Sequence, residues 1–227
     1  MKRPTAALLV ALVASVGGAA AQQAPSPPSP RRLAPVDESA RDASWVAFRD
    51  QLLRAIRSHD RMYLIGVLQP GITHSFGGAS GPAAFRQHWK LDDNPSGSAV
   101  WKILESALTL GGTFTGKTTF CAPYVYTKFP KDLDPVDHGV VLRSNAPVFS
   151  RPASDSPLAA SISFEILKMD KPPASERSPE TAWVLVHLAN GRPGYMRLSD
   201  IRSPIDYRAC FVKRSGAWKM SVLAAGD

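Results

Sequence analysis

Residues 183–205, WVLVHLANGRPGYMRLSDIRSPI, decide how the rest of the chain can be arranged. Apolar residues alternate over 184–188 with the period of two that is typical of a half-buried β-strand. Asn190-Gly191 follows, and this dipeptide favours a tight hairpin turn because both residues tolerate a positive φ. A second apolar run, 194–198, leaves the turn. Two strands joined in this way need further strands to cover their apolar face, so the flanking sequence must supply them.

Candidate strands flank this hairpin on both sides. Near the C-terminal end, Ser215-Gly216 is a two-residue turn signal and predicts a second hairpin. In that hairpin, Tyr207, Ala209 and Phe211 would share a face with Trp218, Met220 and Val222. The flanking candidate strands cover residues 140–142, 146–149, 162–167, 207–214 and 218–224.

Residues 139–205 resemble the bacterial SH3-like (SH3b) domains of exported proteins. The resemblance rests on APVFSRPA at 146–153, on FEIL at 164–167, and on a Trp-x-x-Val strand followed by Asn-Gly-Arg-x-Gly-Tyr. The chain departs from the family at Val148-Phe149-Ser150, where Asn-Val-Arg is common. The resemblance implies an SH3-like β-barrel over residues 139–227, with the C-terminal hairpin extending or bracing it. Such domains bind cell wall, bind proteins or are purely structural, so the resemblance implies no particular ligand.

The first 21 residues have the pattern of a secretory signal peptide. Lys2 and Arg3 give a positive start, residues 6–16 an apolar stretch, and the alanines at 19–21 a cleavage site. We therefore expect an exported protein, periplasmic or secreted. No later stretch has the ~20 apolar residues of a membrane-spanning helix, so no transmembrane segment is expected.

Charge adds one further indication. Without the signal peptide the chain keeps 25 basic and 19 acidic residues, a net charge of +6. This excess favours loose attraction to anionic polymers of the cell envelope. The basic residues are scattered rather than clustered, so the sequence predicts no specific nucleic-acid partner.

The remaining N-terminal part divides into a linker and a helical region. Residues 22–36 are rich in Pro and Ser and predict a linker. Residues 37–138 predict a mainly helical domain of four helices, because apolar residues recur at helical spacing. The first helix carries that stripe on Trp45, Phe48, Leu52 and Ile56. The expected fold class is therefore α+β: a helical N-terminal region, an SH3-like β-barrel and a C-terminal β-hairpin.

Residues 111–118, GGTFTGKT, match the spelling of a phosphate-binding P-loop. A true P-loop leaves a strand and enters a helix whose first amides hold the phosphates. Here a helical pattern precedes the loop, and Thr119-Phe120 and Pro123 follow it. We interpret the match as the end of a helix followed by a turn, and we expect no nucleotide cofactor.

Two cysteines and five histidines are the other candidates for chemistry. Cys121 and Cys210 favour a disulfide, since an exported protein meets an oxidising compartment. The alternative is a cysteine nucleophile at Cys121, served by His74 or His138, in a hydrolase whose site lies between the N-terminal helices and residues 113–129. The histidines are scattered without metal-ligand spacing, so no metal site is expected.

The aromatic residues of the hairpin give the favoured functional hypothesis. Trp183 and Tyr195 flank it and Arg192 stands at its tip, an arrangement that predicts a binding surface. The sequence thus favours a non-enzymatic binding module of the cell envelope that contacts peptidoglycan or an envelope protein. An envelope hydrolase is the alternative, and a purely structural exported protein is a third possibility.

Overall fold

Residues 29–75, 78–170 and 182–226 are described by the structure, a computed structural model. The expected signal peptide, residues 1–21, and the first part of the predicted linker, residues 22–28, lie outside the described residues. The described chain is mostly β: a five-stranded and a seven-stranded sheet, with short helices in the N-terminal part of the sequence. The helices are α1 (Ala43–Arg57), α2 (Arg61–Gly66), α3 (Pro82–His88), α4 (Val100–Thr109) and α5 (Tyr124–Lys128).

Three of the strands in the described ranges lie among these helices in sequence, and the other nine follow the last helix. The strands are β1 (Leu68–Thr73), β2 (Thr113–Phe114), β3 (Thr119–Ala122), β4 (His138–Val141), β5 (Ala146–Phe149), β6 (Leu158–Ile162), β7 (Ile166–Asp170), β8 (Trp183–His187), β9 (Pro193–Arg197), β10 (Ile201–Arg202), β11 (Arg208–Arg214) and β12 (Ala217–Ala224).

The five-stranded sheet has the order β1-β12-β11-β3-β2 and therefore joins the two ends of the chain. The C-terminal hairpin β11–β12 lies at its centre, between β1 and β3. β1 runs parallel to β12 and contains Pro70, which has no amide hydrogen and so suits an edge strand. All strands of the seven-stranded sheet lie between β3 and β11 in the sequence. The pairing of β11 with β3 is therefore non-local.

Helices α1 and α4 cover one face of this sheet with their apolar stripes. Trp45 of α1 is fully buried and stacks on Phe120 of β3 at a ring distance of 4.2 Å. The rings of Phe211 and Trp218 lie 5.0 Å from the Trp45 ring, so both C-terminal strands share the core of the first helix. Rings at these distances in tilted or edge-on geometry add to the stabilisation that burial provides.

A disulfide joins Cys121 and Cys210 across neighbouring strands. The two residues are directly opposite each other in the β3–β11 pairing, and both are buried. The bond therefore fastens the N-terminal part of the five-stranded sheet to its C-terminal part.

The seven-stranded sheet has the order β10-β4-β7-β8-β9-β5-β6 and contains the hairpin of residues 183–198 as β8 and β9. Its inner face forms a second core to which strands at both ends of the sheet contribute, Ile201 of β10 and Ile162 of β6. The sheet therefore curves around that core. A third, smaller cluster built around Tyr124, Val125, Val140 and Ile166 lies where α5 packs on the sheet.

The described end of the predicted linker is part of this second sheet. The amide of Leu33 donates to the carbonyl of Phe164, and the amide of Ile166 donates to the carbonyl of Arg31, each at 2.8 Å. Arg32 pairs with Glu165 as an antiparallel bridge. Residues 31–33 therefore run beside the start of β7, where they satisfy backbone groups that β8 does not reach.

The expected fold class, a helical N-terminal region followed by an SH3-like β-barrel and a C-terminal hairpin, is wrong. The N-terminal region contains short helices, but it also supplies β1, β2 and β3 to a sheet shared with the C-terminal hairpin. That hairpin braces the five-stranded sheet rather than the sheet of residues 138–202. Helical periodicity is a local signal, so it could not indicate strand pairing over most of the chain length.

Helices in the described ranges are too short or too polar to cross a membrane.

Candidate functional site

The hairpin β8–β9 forms the middle of the seven-stranded sheet, in the register Trp183 opposite Arg197 and Leu185 opposite Tyr195. Its turn contains Gly191 at φ 78°, a conformation that glycine adopts without steric cost. Gly194 has a different reason to lack a side chain. A Cβ there would lie 2.4 Å from Cγ1 of Val148, so any larger residue would push β5 away from β9.

The two faces of this hairpin differ in burial. Val184, Val186 and Met196 point inward and are fully buried in the second core. The alternate positions of β8 and β9 point outward and are half-buried: Trp183, Leu185, His187, Tyr195 and Arg197. We call this side of the seven-stranded sheet the outer face, and the residues of β7 that lie on it are Lys168 and Asp170.

Aromatic and apolar side chains gather at one end of the outer face. The Trp183 ring meets the Phe149 ring edge-on at 5.4 Å. Phe149 of β5 is opposite both Tyr195 of β9 and Leu158 of β6, and 63% of Leu158 is exposed. A half-exposed aromatic group beside an exposed leucine is the kind of surface that binds a partner with an apolar face.

An arginine fixes the Trp183 ring in place. The guanidinium of Arg197 lies 4.1 Å from the centre of the Trp183 ring, a cation–π contact. Nη2 of Arg197 also donates to the hydroxyl of Ser154 at 2.7 Å. The ring is thus held between Phe149 and Arg197, and a cation stands beside the aromatic group.

The structure brings two of the three predicted binding residues to one face. Trp183 and Tyr195 both lie on the outer face, whereas Arg192 lies in the turn at the opposite end of β8 from Trp183. The amide of Arg192 donates to Oδ1 of Asn190 at 3.1 Å, and its carbonyl accepts from Leu188. The guanidinium beside Trp183 is that of Arg197 rather than that of Arg192.

Further outer-face residues were not predicted from the sequence. Arg197 follows Tyr195 by two positions, so strand periodicity alone could have identified it. Phe149, by contrast, reaches this face only because β5 pairs with β9, and no local signal indicates that pairing.

A row of basic residues crosses the other part of the outer face. His138, Lys168 and His187 are directly opposite one another on β4, β7 and β8. Lys168 donates to the carboxylate of Asp137 at 3.2 Å, and this hydrogen bond lowers the pKa of the Asp137 carboxyl. A cavity of about 220 Å³ lies beside the row.

The three residues proposed for a hydrolase site lie on different elements. Cys121 is in the middle of the five-stranded sheet and bonded to Cys210, so it carries no thiol. His138 is in the seven-stranded sheet, beside Asp137. His74 follows β1 and contacts the rings of Phe85 and His88. These positions do not form a nucleophile with its base, because a nucleophile needs both a free sulfur and an imidazole within hydrogen-bond reach.

The P-loop spelling at residues 111–118 is also explained by the fold. Gly111 ends α4 with a φ of 76° and packs against the carbonyl of Val36. The strands β2 and β3 follow, in place of the helix whose first amides would hold a phosphate. Within the described ranges, no group of three or more His, Cys, Asp or Glu side chains is arranged to hold a metal ion.

Comparison of this chain with protein-family models, with curated proteins and with solved structures found no match. The resemblance of residues 139–205 to SH3b domains therefore stays a prediction.

Proposed function

We propose that this protein is an exported, non-enzymatic binding module of the cell envelope that holds peptidoglycan on its outer face. The signal-peptide pattern of residues 1–21 supports export, and the resemblance of residues 139–205 to SH3b domains supports an envelope role. The disulfide agrees with an oxidising compartment, where such bonds persist.

The observation that carries the proposal is the half-exposed aromatic group of Trp183, Phe149 and Tyr195 with the Arg197 guanidinium beside it. Peptidoglycan presents apolar sugar faces together with peptide carboxylates. Aromatic side chains suit the first and guanidinium groups suit the second, because a guanidinium can donate two parallel hydrogen bonds to one carboxylate. The net positive charge of the mature chain adds a long-range attraction to such a polymer.

The alternative of a hydrolase that uses Cys121 has less support. A cysteine attacks as a thiolate, and the Cys121 sulfur is joined to that of Cys210. Both cysteines are also more than nine-tenths buried, so a substrate in solution would not reach their sulfurs in this structure.

Co-sedimentation with purified peptidoglycan sacculi tests the proposal. We expect the mature protein to sediment with the sacculi, and the double variant Trp183→Ala/Tyr195→Ala to bind about tenfold more weakly, a loss of ~1.4 kcal/mol. The reason is that both substitutions remove stacking area from the outer face. Far-UV circular dichroism and thermal unfolding of each variant show that the fold is kept.

The control is Met62→Ala, which removes an apolar side chain that is 72% exposed but lies on α2. This variant should bind as the unmodified protein does. Absence of co-sedimentation for the unmodified protein would refute the proposal, and retention of an envelope protein in its place would point to a protein partner. Equal binding by the folded double variant would show that these two aromatic side chains of the outer face do not hold peptidoglycan.

A further inference from the structure

The basic row on the outer face consists of three basic side chains from three neighbouring strands: His138 of β4, Lys168 of β7 and His187 of β8. His138 is directly opposite Lys168, and Lys168 is directly opposite His187. Directly opposed residues in an antiparallel sheet have Cβ atoms about 4.5–5.5 Å apart, so their side chains are neighbours. Two imidazoles, each able to accept a second proton and a positive charge, therefore stand on either side of a lysine side chain.

The cavity beside this row has a volume of about 220 Å³. It lies where β7 changes partner, from residues 31–33 on its first half to β8 on its second half. One water occupies roughly 30 Å³ of liquid volume, so this space holds several waters or a small oxyanion. Its wall includes His138, Glu165, Lys168, His187 and Arg31.

Two carboxylates face the row. Oδ1 of Asp137 lies 2.5 Å from Nδ1 of His138, and Oδ2 of the same residue lies 3.2 Å from Nζ of Lys168. Oδ1 of Asp170 lies 3.7 Å from Nε2 of His187. With neutral imidazoles the two carboxylates outnumber the single ammonium, and the row has a net charge of −1. With both imidazoles protonated the same groups have a net charge of +1.

The other charged groups at the cavity form pairs that cancel. Arg31 donates two hydrogen bonds to Asp132, one from each terminal nitrogen of its guanidinium. Arg32 lies 3.6 Å from the buried carboxylate of Glu165. Because these two pairs are neutral overall, the sign of the net charge at the cavity depends on whether the two imidazoles are protonated.

The surroundings of His138 decide which of its nitrogens gains the proton. Nδ1 lies 2.8 Å from the carbonyl oxygen of Asp134 and 2.5 Å from the Asp137 carboxylate. Both neighbours only accept hydrogen bonds, so Nδ1 is the nitrogen that carries hydrogen in the neutral ring. Acidification then places the new proton on Nε2 and turns this atom from an acceptor into a donor.

We propose that this cavity is an anion subsite that takes a carboxylate or phosphate group when His138 and His187 are protonated. Charge-assisted hydrogen bonds from an ammonium and two imidazolium groups would hold the anion. When the imidazoles are neutral, the carboxylates of Asp137 and Asp170 repel it. The subsite lies on the same outer face that is proposed to hold peptidoglycan. If its anion is a group of peptidoglycan, this inference rests on the proposed function.

A small-anion titration tests the cavity directly. Imidazole resonances of the full mature protein are followed by NMR during addition of inorganic phosphate, and separately of acetate, at pH 5.5 and pH 8. We expect saturable shifts of His138 and His187 at pH 5.5, smaller by about tenfold or more at pH 8. A larger response to acetate than to phosphate would identify a peptide carboxylate as the natural group, and the reverse would identify a phosphate.

His59 provides the internal reference, because it stacks on Trp101 and does not line the cavity. Its resonance should not shift. Equal shifts of His59, His138 and His187, or no saturable shift at pH 5.5, would overturn the subsite.

Polymer binding separates this inference from the proposed function. We expect the protein to bind sacculi about threefold or more tightly at pH 5.5 than at pH 7.5, since one more favourable ion contact of under 1 kcal/mol has this effect. The double variant His138→Gln/His187→Gln should lose that ratio and bind sacculi equally at both pH values. His59→Asn should keep the ratio, because asparagine tolerates the left-handed backbone that His59 adopts at φ 53°.

The outcomes differ for the two proposals. Binding that is equal at both pH values would overturn the subsite and leave the proposed function standing. Absence of binding at both pH values would overturn the proposed function, and the phosphate titration would still decide whether the cavity takes an anion. A pH ratio that persists in the double variant would assign the effect to other groups and refute the role of the row.

Discussion

His74 shows how a single buried residue links this fold to pH. Only 6% of the residue is exposed, and its ring lies 4.9 Å from that of His88. Burial lowers the pKa of His74 from its ordinary value, because a charged imidazole loses its hydration in the core, and the neighbouring His88 lowers the pKa further. The native state therefore favours the neutral ring.

This preference predicts an acid-sensitive stability. In the unfolded chain His74 takes up a proton near its ordinary pKa of about 6.5, while the native protein resists it. The stability from His74 is thus fully present above pH 6.5 and is lost as the pH falls towards its lowered native pKa. We expect the free energy of unfolding, measured in urea, to fall between pH 7.5 and pH 5.5, and to fall less in His74→Leu.

His59→Asn is the matched control, because it removes a histidine at a different place in the fold. It should keep the full loss of stability on acidification. A His74→Leu protein with the same pH dependence as the unmodified protein would contradict this account.

At the scale of elements, the two hairpins differ in how far the sequence predicted them. Asn190-Gly191 and Ser215-Gly216 mark their turns by local chemistry, and both hairpins form. The face of Val222 was predicted wrongly. A bulge between Cys210 and Phe211 shifts the register, so that Leu223 rather than Val222 joins the core. A bulge adds one residue to one strand, and period-two reasoning beyond it changes face.

In the candidate site, too, the residues that could be predicted are those whose positions depend on local sequence. Trp183 and Tyr195 could be predicted because one local hairpin places both on the outer face. Phe149 and the basic row could not, because they depend on the pairing of β5 with β9 and of β4 with β7 and β8. Those pairings are set by the packing of a curved sheet around its core, and single strands carry no signal for it.

The disulfide gives a prediction about the pairing of β3 with β11. It links residues separated by 89 positions, so it removes much of the loop-closure entropy of the unfolded chain. We expect Cys121→Ala/Cys210→Ala to lower the free energy of unfolding by about 2–5 kcal/mol, measured by urea denaturation. Reduction of the unmodified protein should have a similar effect, and reduction of the variant should have none. An unchanged midpoint in both experiments would show that the bond contributes little to stability.

At the scale of the whole molecule, the error in the expected fold class has one physical origin. Sequence patterns indicate what each segment forms and say little about which distant segment completes its core. Trp45 packs on Phe120 as well as on Phe211 and Trp218, so the first helix depends on the last two strands. The N-terminal helices therefore have no complete core without the C-terminal hairpin.

This dependence predicts that the N-terminal half does not fold alone. In a fragment of residues 29–138, β1 would lose β12, its partner in the sheet, and β3 would lose β11. The core of α1 and α4 would also lose the side chains that β11 and β12 supply: Ala209, Phe211, Trp218, Met220 and Leu223. Four of these side chains are large, and burying each contributes about 1.5–3 kcal/mol, so their loss is comparable to the ~5–15 kcal/mol net stability of a typical domain.

We therefore expect the 29–138 fragment to give a far-UV circular dichroism spectrum without a cooperative thermal transition, whereas residues 29–227 melt cooperatively. Addition of a peptide covering residues 207–226 should restore part of the transition, because it supplies β11 and β12. A matched peptide with Phe211→Ser and Trp218→Ser should fail to do so, since it removes the two rings that contact Trp45. A fragment that melts cooperatively by itself would instead support an independent N-terminal domain, and the C-terminal hairpin would then be an addition to a finished core.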